Sequence, residues 1–398
     1  MKSKRANVII NMFKDFFNKE ASSGIILIIC AVAAVIISNS NLHYNYEELF
    51  HANLTLGVYK LYISMSLLHW INDGLMVVFF LLVGMEIKRE VLIGELKSVK
   101  KVILPVGAAI GGMIVPALIY LITNFGERTV NGWGIPMATD IAFALGIISI
   151  VGNKKAPKGI AVFLTALAIV DDLGSIIVIA VFYTNNIQWI SLLAAAIVFI
   201  LLITANKLKV RYISFFIILG FVLWLFLLRS GVHPTIAGVI LGMCIPLGKS
   251  RVEAQESTTY KFEHFLNLLS AYFIMPIFAF ANSGVVINAG SFRRLITSSV
   301  SCGIILGLFL GKQLGIFGVS YFLIKFKLAN LPSRVSMKHI YGASVLGGIG
   351  FTMSLFVSSL SFSSEAYLND AKVAIMVVSI IASVFGILIF KFIGTKNE

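Results

Sequence analysis

The sequence predicts an all-α polytopic membrane protein of about twelve transmembrane helices, and three observations carry that prediction. Hydrophobic residues make up 58% of the 398 residues and charged residues only 13%, with a mean hydropathy of +0.94. A soluble domain carries roughly 25% charged residues, so this chain has too few charges to solvate its own surface. Second, apolar runs of about 20 residues, the length a helix needs to cross a bilayer core, recur along the whole chain. Third, the basic residues fall on one side of those runs and avoid the other.

The elements run in order from the N-terminus. Lys2, Lys4 and Arg5 precede an apolar stretch from Gly24 to Ile37. Ala31-Val32-Ala33 mimics a cleavage site, but the apolar run continues past it and the charged segment before it is long. The stretch therefore reads as an uncleaved first span. The twelve spans fall near residues 22–39, 67–88, 102–123, 133–151, 159–182, 189–206, 212–228, 230–247, 265–287, 299–324, 339–362 and 371–393. With the N-terminus inside, both tails and the even-numbered connectors hold 25 basic residues. The outer side holds 6, namely Lys60, Arg128, Arg229, Arg293, Arg294 and Lys372, and Lys312 lies within a span. A wrong count would scramble this alternation. Trp70, Trp133, Trp189 and Trp224 fall at predicted outer ends, as an interfacial aromatic belt should. The outer connector 41–62 suits a short hairpin or an interfacial helix, and 249–263 is ordinary polar loop. The whole chain, 1–398, reads as one transmembrane domain, with 1–21 a cytoplasmic N-terminal segment and 394–398 a cytoplasmic tail.

The net charge of +14 invites a nucleic-acid reading. The basic residues, however, sit in short connectors and form no continuous stripe, so no nucleic-acid partner is expected; the membrane lipid is. Cys30, Cys244 and Cys302 lie far apart inside apolar runs and suggest neither a disulfide framework nor a metal site. No cofactor is expected.

Charges inside spans are the informative residues. Asp73 and Glu86 lie in the second span, Asp140 in the fourth, Asp171 and Asp172 in the fifth and Lys312 in the tenth. Each costs at least ~2.5–3.5 kcal/mol at mid-bilayer, a burden that calls for a function. Glu86, three residues before Arg89 near a cytoplasmic end, also reads as a structural ion-pair partner. Asp171 and Asp172 are neighbours on one helix, about 100° apart, so both can touch one cavity. Two close carboxylates in a poorly hydrated site cannot both ionise cheaply. A proton or a hard cation relieves them, and each expels the other. Pro136, Thr139 and Asp140 suggest an interrupted helix, since proline removes a backbone donor and polar side chains re-satisfy freed groups. Thr139 also offers a neutral oxygen of the kind hard cations accept. Lys312 can pair with a carboxylate or carry a proton itself.

A second interruption lies in Gly347-Gly348-Ile349-Gly350-Phe351-Thr352, because three glycines in four residues are poor helix material. The fourth and eleventh spans are the middle members of triplets 3–5 and 10–12, which run oppositely through the membrane. Paired breaks in opposed triplets point to an inverted-repeat transporter whose two interrupted helices cross at mid-membrane.

The runs Ala138-Thr139-Asp140-Ile141-Ala142-Phe143, Val170-Asp171-Asp172-Leu173-Gly174, Gly231-Val232-His233-Pro234-Thr235-Ile236-Ala237-Gly238, Phe278-Ala279-Phe280-Ala281-Asn282-Ser283-Gly284-Val285 and Gly348-Ile349-Gly350-Phe351-Thr352-Met353-Ser354 resemble the NhaA-type sodium/proton antiporters. That family is itself a named example of inverted repeats with broken helices. The resemblance implies a secondary transporter, not an enzyme, that exports Na+ and Li+ for H+ across a bacterial cytoplasmic (inner) membrane. It implies that Asp171 and Asp172 form the transient Na+ and proton site, with Asp172 foremost. Asp140 would face the positive ends of two crossing broken helices, while Lys312 compensates the opposite ends and pairs with Asp171. Exchange would be electrogenic and switched on at alkaline pH through a cytoplasmic cluster matching Glu86, Arg89, Glu90, Glu263 and His264. The chain departs from the family in reading Asn267-Leu268-Leu269 where a His-Pro-Trp run often stands, a difference that bears on the pH set-point. By the same analogy the outer connector is a homodimer contact; His233 matches a family histidine near the eighth span and, taken alone, reads as a structural hydrogen-bonder rather than a proton sensor. The alternatives are a sodium-coupled solute symporter of the same plan and an intramembrane aspartyl protease. The first lacks a surplus of polar residues for an organic substrate. The second needs carboxylates on facing helices, whereas Asp171 and Asp172 share one.

Overall fold

Apolar runs in lipid fold as helices because every backbone polar group must find its partner within the chain. The computed structural model describes residues 20–58, 61–94, 99–152, 155–184, 187–210, 212–248 and 257–393. The tail at 394–398, most of the N-terminal segment and most of the loop expected at 249–263 lie outside the described residues. The protein is an all-α polytopic membrane protein, with helices α1 (Glu20–Ser38), α2 (His43–His51), α3 (Leu67–Leu92), α4 (Val99–Thr123), α5 (Ile141–Val151), α6 (Lys158–Phe182), α7 (Trp189–Lys207) and α8 (Ile213–Ser230). The second half adds α9 (Ile236–Cys244), α10 (Thr258–Asn282), α11 (Ala289–Thr297), α12 (Ser299–Lys325), α13 (Met337–Leu346), α14 (Phe351–Ser361) and α15 (Glu365–Phe392).

Among the described residues, eight helices are long and apolar enough to cross a membrane unaided, and three sharply bent helix pairs raise the number to at most eleven. The eighth predicted span, 230–247, differs from expectation. Only the nine residues of α9 are helical, because Gly231 at φ +83° ends α8, and Pro234 and Pro246 bracket the short helix beyond it. The ninth span also starts earlier than hydropathy placed it, at Thr258, where the Ser257 side chain accepts the Tyr260 N–H and caps α10. In the outer connector both anticipated elements are present: α2, bent 113° from α1, and a hairpin of β1 (Asn53–Val58) and β2 (Leu61–Ser66).

Two spans are broken as the sequence predicts. A 3-10 helix, Arg128–Met137, meets α5 at 41°, and α13 meets α14 at 45°. Elsewhere the helical ladder widens to π geometry at Trp70–Leu75, Ser270–Ile274, Gly307–Gly311 and Gln313–Phe317. The last two flank Lys312 on both sides. Close helix crossings fix the frame around the breaks. At Gly84 of α3 a Cβ would stand 2.6 Å from the Val239 carbonyl of α9, so only glycine fits. Helix α4 packs along both α6 and α12 and holds them about one site. Of the four tryptophans, Trp224 is buried rather than interfacial, its Nε1 donating to the Asp73 carbonyl at 3.1 Å.

Candidate ion-binding site

Breaking a helix leaves N–H groups free at one new end and C=O groups at the other. Here the two breaks meet and satisfy one another. The Asp140 N–H donates to the Ile349 carbonyl at 2.7 Å, and the Thr139 hydroxyl donates to the Gly347 carbonyl at 3.0 Å. Asp140 caps both new N-termini: its Oδ1 accepts from Phe143 N at 3.0 Å, opening α5, and its Oδ2 accepts from Thr352 N at 3.1 Å, opening α14. The Thr352 hydroxyl donates to the same Oδ2. A carboxylate at two helix N-termini is the electrostatic complement of their dipoles.

Lys312 serves the opposite end. It is fully buried, and an ammonium has three N–H donors. All three are used: on Asp171 Oδ2 at 2.7 Å, on Thr139 Oγ1 at 2.8 Å, and on the Met137 carbonyl that closes the 3-10 half of the broken span. The ion pair Lys312–Asp171 thus joins α12 to α6 through the break between Met137 and Asp140. Asp172 stands beside it, 5% exposed, within electrostatic reach of Asp171, Glu86, Asp140 and Lys312. The other oxygen of Asp171 is different. The Thr139 hydroxyl proton is spent on the Gly347 carbonyl, and Oδ1 is buried without a hydrogen-bond partner. Three carboxylates, one ammonium and two threonine hydroxyls, those of Thr139 and Thr352, therefore share the crossing of two broken spans. The carboxylate and hydroxyl oxygens are an all-oxygen donor set of the kind a small hard cation accepts.

The sequence-predicted cytoplasmic cluster is assembled only in part. Arg89 of α3 pairs with Glu263 of α10 at 2.8 Å and with Glu90 at 3.3 Å. Glu86 is half-buried one turn earlier, in the field of Arg89, Glu90 and Glu263 and also of Asp172. It is placed between the cluster and the buried aspartates. His264, about 100° round α10 from buried Glu263, is exposed. Asp73 finds His233, whose Nε2 lies 3.6 Å from Asp73 Oδ1 while its Nδ1 bonds the Thr235 hydroxyl at 2.7 Å.

Two participants escaped sequence reading. Thr352 and the Met137 carbonyl bind the site's charges yet bring no charge of their own into the span, so they carry no desolvation cost that a sequence would betray. The position of Thr352 just after the glycine break, mirroring Thr139 after Pro136, is the signal that was available.

A polytopic bundle holding a lysine and three carboxylates where two broken spans meet has the architecture of a cation-handling membrane transporter. The family model described as Na+/H+ antiporter 1 matches residues 14–390. A protein named Na(+)/H(+) antiporter NhaA 1 from Clostridium beijerinckii is 60% identical over 398 residues, covering 100% of this chain and 99% of its own length. The Na(+)/H(+) antiporter NhaA of Flavobacterium psychrophilum is 46% identical over 97% of both chains. That of Pelagibacter ubique is 45% identical over 96% of this chain and 98% of its own. The chain belongs to the NhaA-type Na+/H+ antiporter family.

Proposed function

We propose that this protein is a secondary active transporter that exports Na+, and Li+ with it, in exchange for protons. The observation that carries the reading is the buried Lys312–Asp171 pair, at 2.7 Å, with Asp172 beside it and both broken spans converging on it. Protons and a hard cation compete for these carboxylates. When Na+ binds between Asp171 and Asp172, the protons that neutralised the pair leave, and the Lys312 ammonium loses its hold on Asp171. When protons return, the cation loses its charge partners and departs. Asp140 and Lys312 neutralise the two ends of the breaks in either state, so the crossing can tilt without exposing bare dipoles. More protons than sodium ions moving per cycle make the exchange electrogenic.

The protein resides in the bacterial cytoplasmic membrane with both termini in the cytoplasm. Glu86, Arg89, Glu90 and Glu263 couple cytoplasmic pH to the aspartates through Glu86, and exposed His264 has the smallest part. The β1–β2 hairpin forms the contact of a homodimer. A sodium-coupled symporter would need a solute, and family membership favours none.

Inside-out vesicles carrying the protein test the reading. Na+ or Li+, added between about pH 6.5 and 8.5, should collapse an imposed proton gradient, K+ should not, and Asp172→Asn should abolish the response. A response that requires an added organic solute, or one that Asp172→Asn leaves intact, would overturn it.

A further inference from the structure

A serine buried in a helix ordinarily spends its hydroxyl on a carbonyl three or four residues back. Ser230, Ser344 and Ser358 do so here, donating at 2.7–2.8 Å to the carbonyls of Leu227, Tyr341 and Leu355. Ser175 of α6 does not. It is 4% exposed, and its Oγ is buried with no hydrogen-bond partner. Leaving a hydroxyl unpaired in an apolar interior costs roughly 1–3 kcal/mol, a cost that calls for an explanation at this position.

The helix geometry supplies one. At about 100° per residue, Ser175 lies some 40° round α6 from Asp171 and some 60° from Asp172, between the two and one turn further along. That same helix face holds the second orphan, Asp171 Oδ1, whose companion oxygen is taken by Lys312. Among the described residues three other buried serines, Ser38, Ser283 and Ser320, also lack a partner, but none has a carboxylate within a turn of it in the sequence. Two oxygens that each contact a hard cation at roughly 2.3–2.6 Å stand up to about 5 Å apart. Near that limit they are too far apart to hydrogen-bond each other, and each is left without a partner until the ion arrives.

We infer that Ser175 supplies a neutral oxygen to the transported cation alongside Asp171 and Asp172, and so sets cation affinity and the preference between Na+ and Li+. The inference rests on the antiport reading. A hydroxyl ligand contributes binding without adding charge, so it tunes affinity without altering how many protons the carboxylates exchange.

The test is the exchange kinetics of purified protein in proteoliposomes for wild type, Ser175→Ala, Ser175→Cys and Ser175→Thr. Alanine removes the oxygen and cysteine replaces it with a soft sulfur of similar size. Both should raise the KM for Na+ about five- to tenfold, with Vmax retained and the ratio of Na+ to Li+ KM values altered. Threonine keeps the oxygen and should stay within about twofold of wild type. A merely structural serine would instead lower Vmax and the yield of folded protein with KM unchanged, and that result would overturn the inference. So would wild-type KM values for both ions in the alanine and cysteine proteins. Failure of the wild-type protein itself to couple Na+ to protons would count against the antiport reading.

Discussion

Lys312→Met removes the ammonium and keeps the volume of the stem, and the structure defines what is lost. Three acceptors are stranded in a buried site: Asp171 Oδ2, Thr139 Oγ1 and the Met137 carbonyl. Thr139 recovers most readily, because its own hydroxyl proton still bonds the Gly347 carbonyl at 3.0 Å. The carboxylate dominates, since breaking a buried pair by deleting one partner costs about 3–5 kcal/mol. For a chain of 398 residues, unfolding entropy scaled per residue turns about 4 kcal/mol into a fall in Tm of about 4–6 °C. Asp171→Asn in the same chain removes the stranded charge, so the double variant should regain most of that loss. The assay is thermal unfolding of detergent-solubilised protein for wild type, each single variant and the double, which together close a mutant cycle. Equal losses in Lys312→Met and in the double variant, or strictly additive losses, would refute the claim that the Lys312–Asp171 pair holds the crossing together.

Two further predictions concern regions away from the crossing. Arg89→Gln takes the positive charge from beside buried Glu263, 2.8 Å away, and so favours protonated over ionised carboxylates in the cluster. If activation depends on their ionisation, the rising limb of exchange against pH should move to higher pH by about one unit, read from vesicle assays at fixed Na+. Replacing residues 54–65 by a short Gly-Ser linker removes a two-stranded hairpin whose outer edges are open to pairing. The protein should then run as a monomer by light scattering while still exchanging Na+ in vesicles.

What was legible in the sequence is what costs free energy. Charges in lipid are expensive, so Asp140, Asp171, Asp172 and Lys312 stood out from the apolar runs, and all four meet at one crossing. Helix breaks also announce themselves, through Pro136 on one side and Gly347, Gly348 and Gly350 on the other. Orphan carbonyls announce nothing, so the Met137 carbonyl leaves no trace in the sequence, and a neutral hydroxyl such as that of Thr352 is marked only by its place after the glycine break. Hydropathy misplaced α9 because an apolar run does not reveal that Pro234 and Pro246 shorten its helix. It misplaced the start of α10 because a serine cap in a polar stretch has no hydrophobic signal. The place of Trp224 near a predicted outer end suggests an interfacial indole, but its N–H reaches the Asp73 carbonyl inside the bundle. The partner of Asp73, His233, came from a different span and could not be paired by spacing.

Competition of Na+ and protons for one buried carboxylate pair has a direct signature in solution. Proton release on adding Na+ to purified protein, in lightly buffered detergent solution at alkaline pH, tests it most directly. Protons should be released in proportion to bound Na+, with a smaller release as pH rises and the carboxylates empty, and none from Asp172→Asn. Na+ binding without proton release, or equal release from Asp172→Asn, would contradict it.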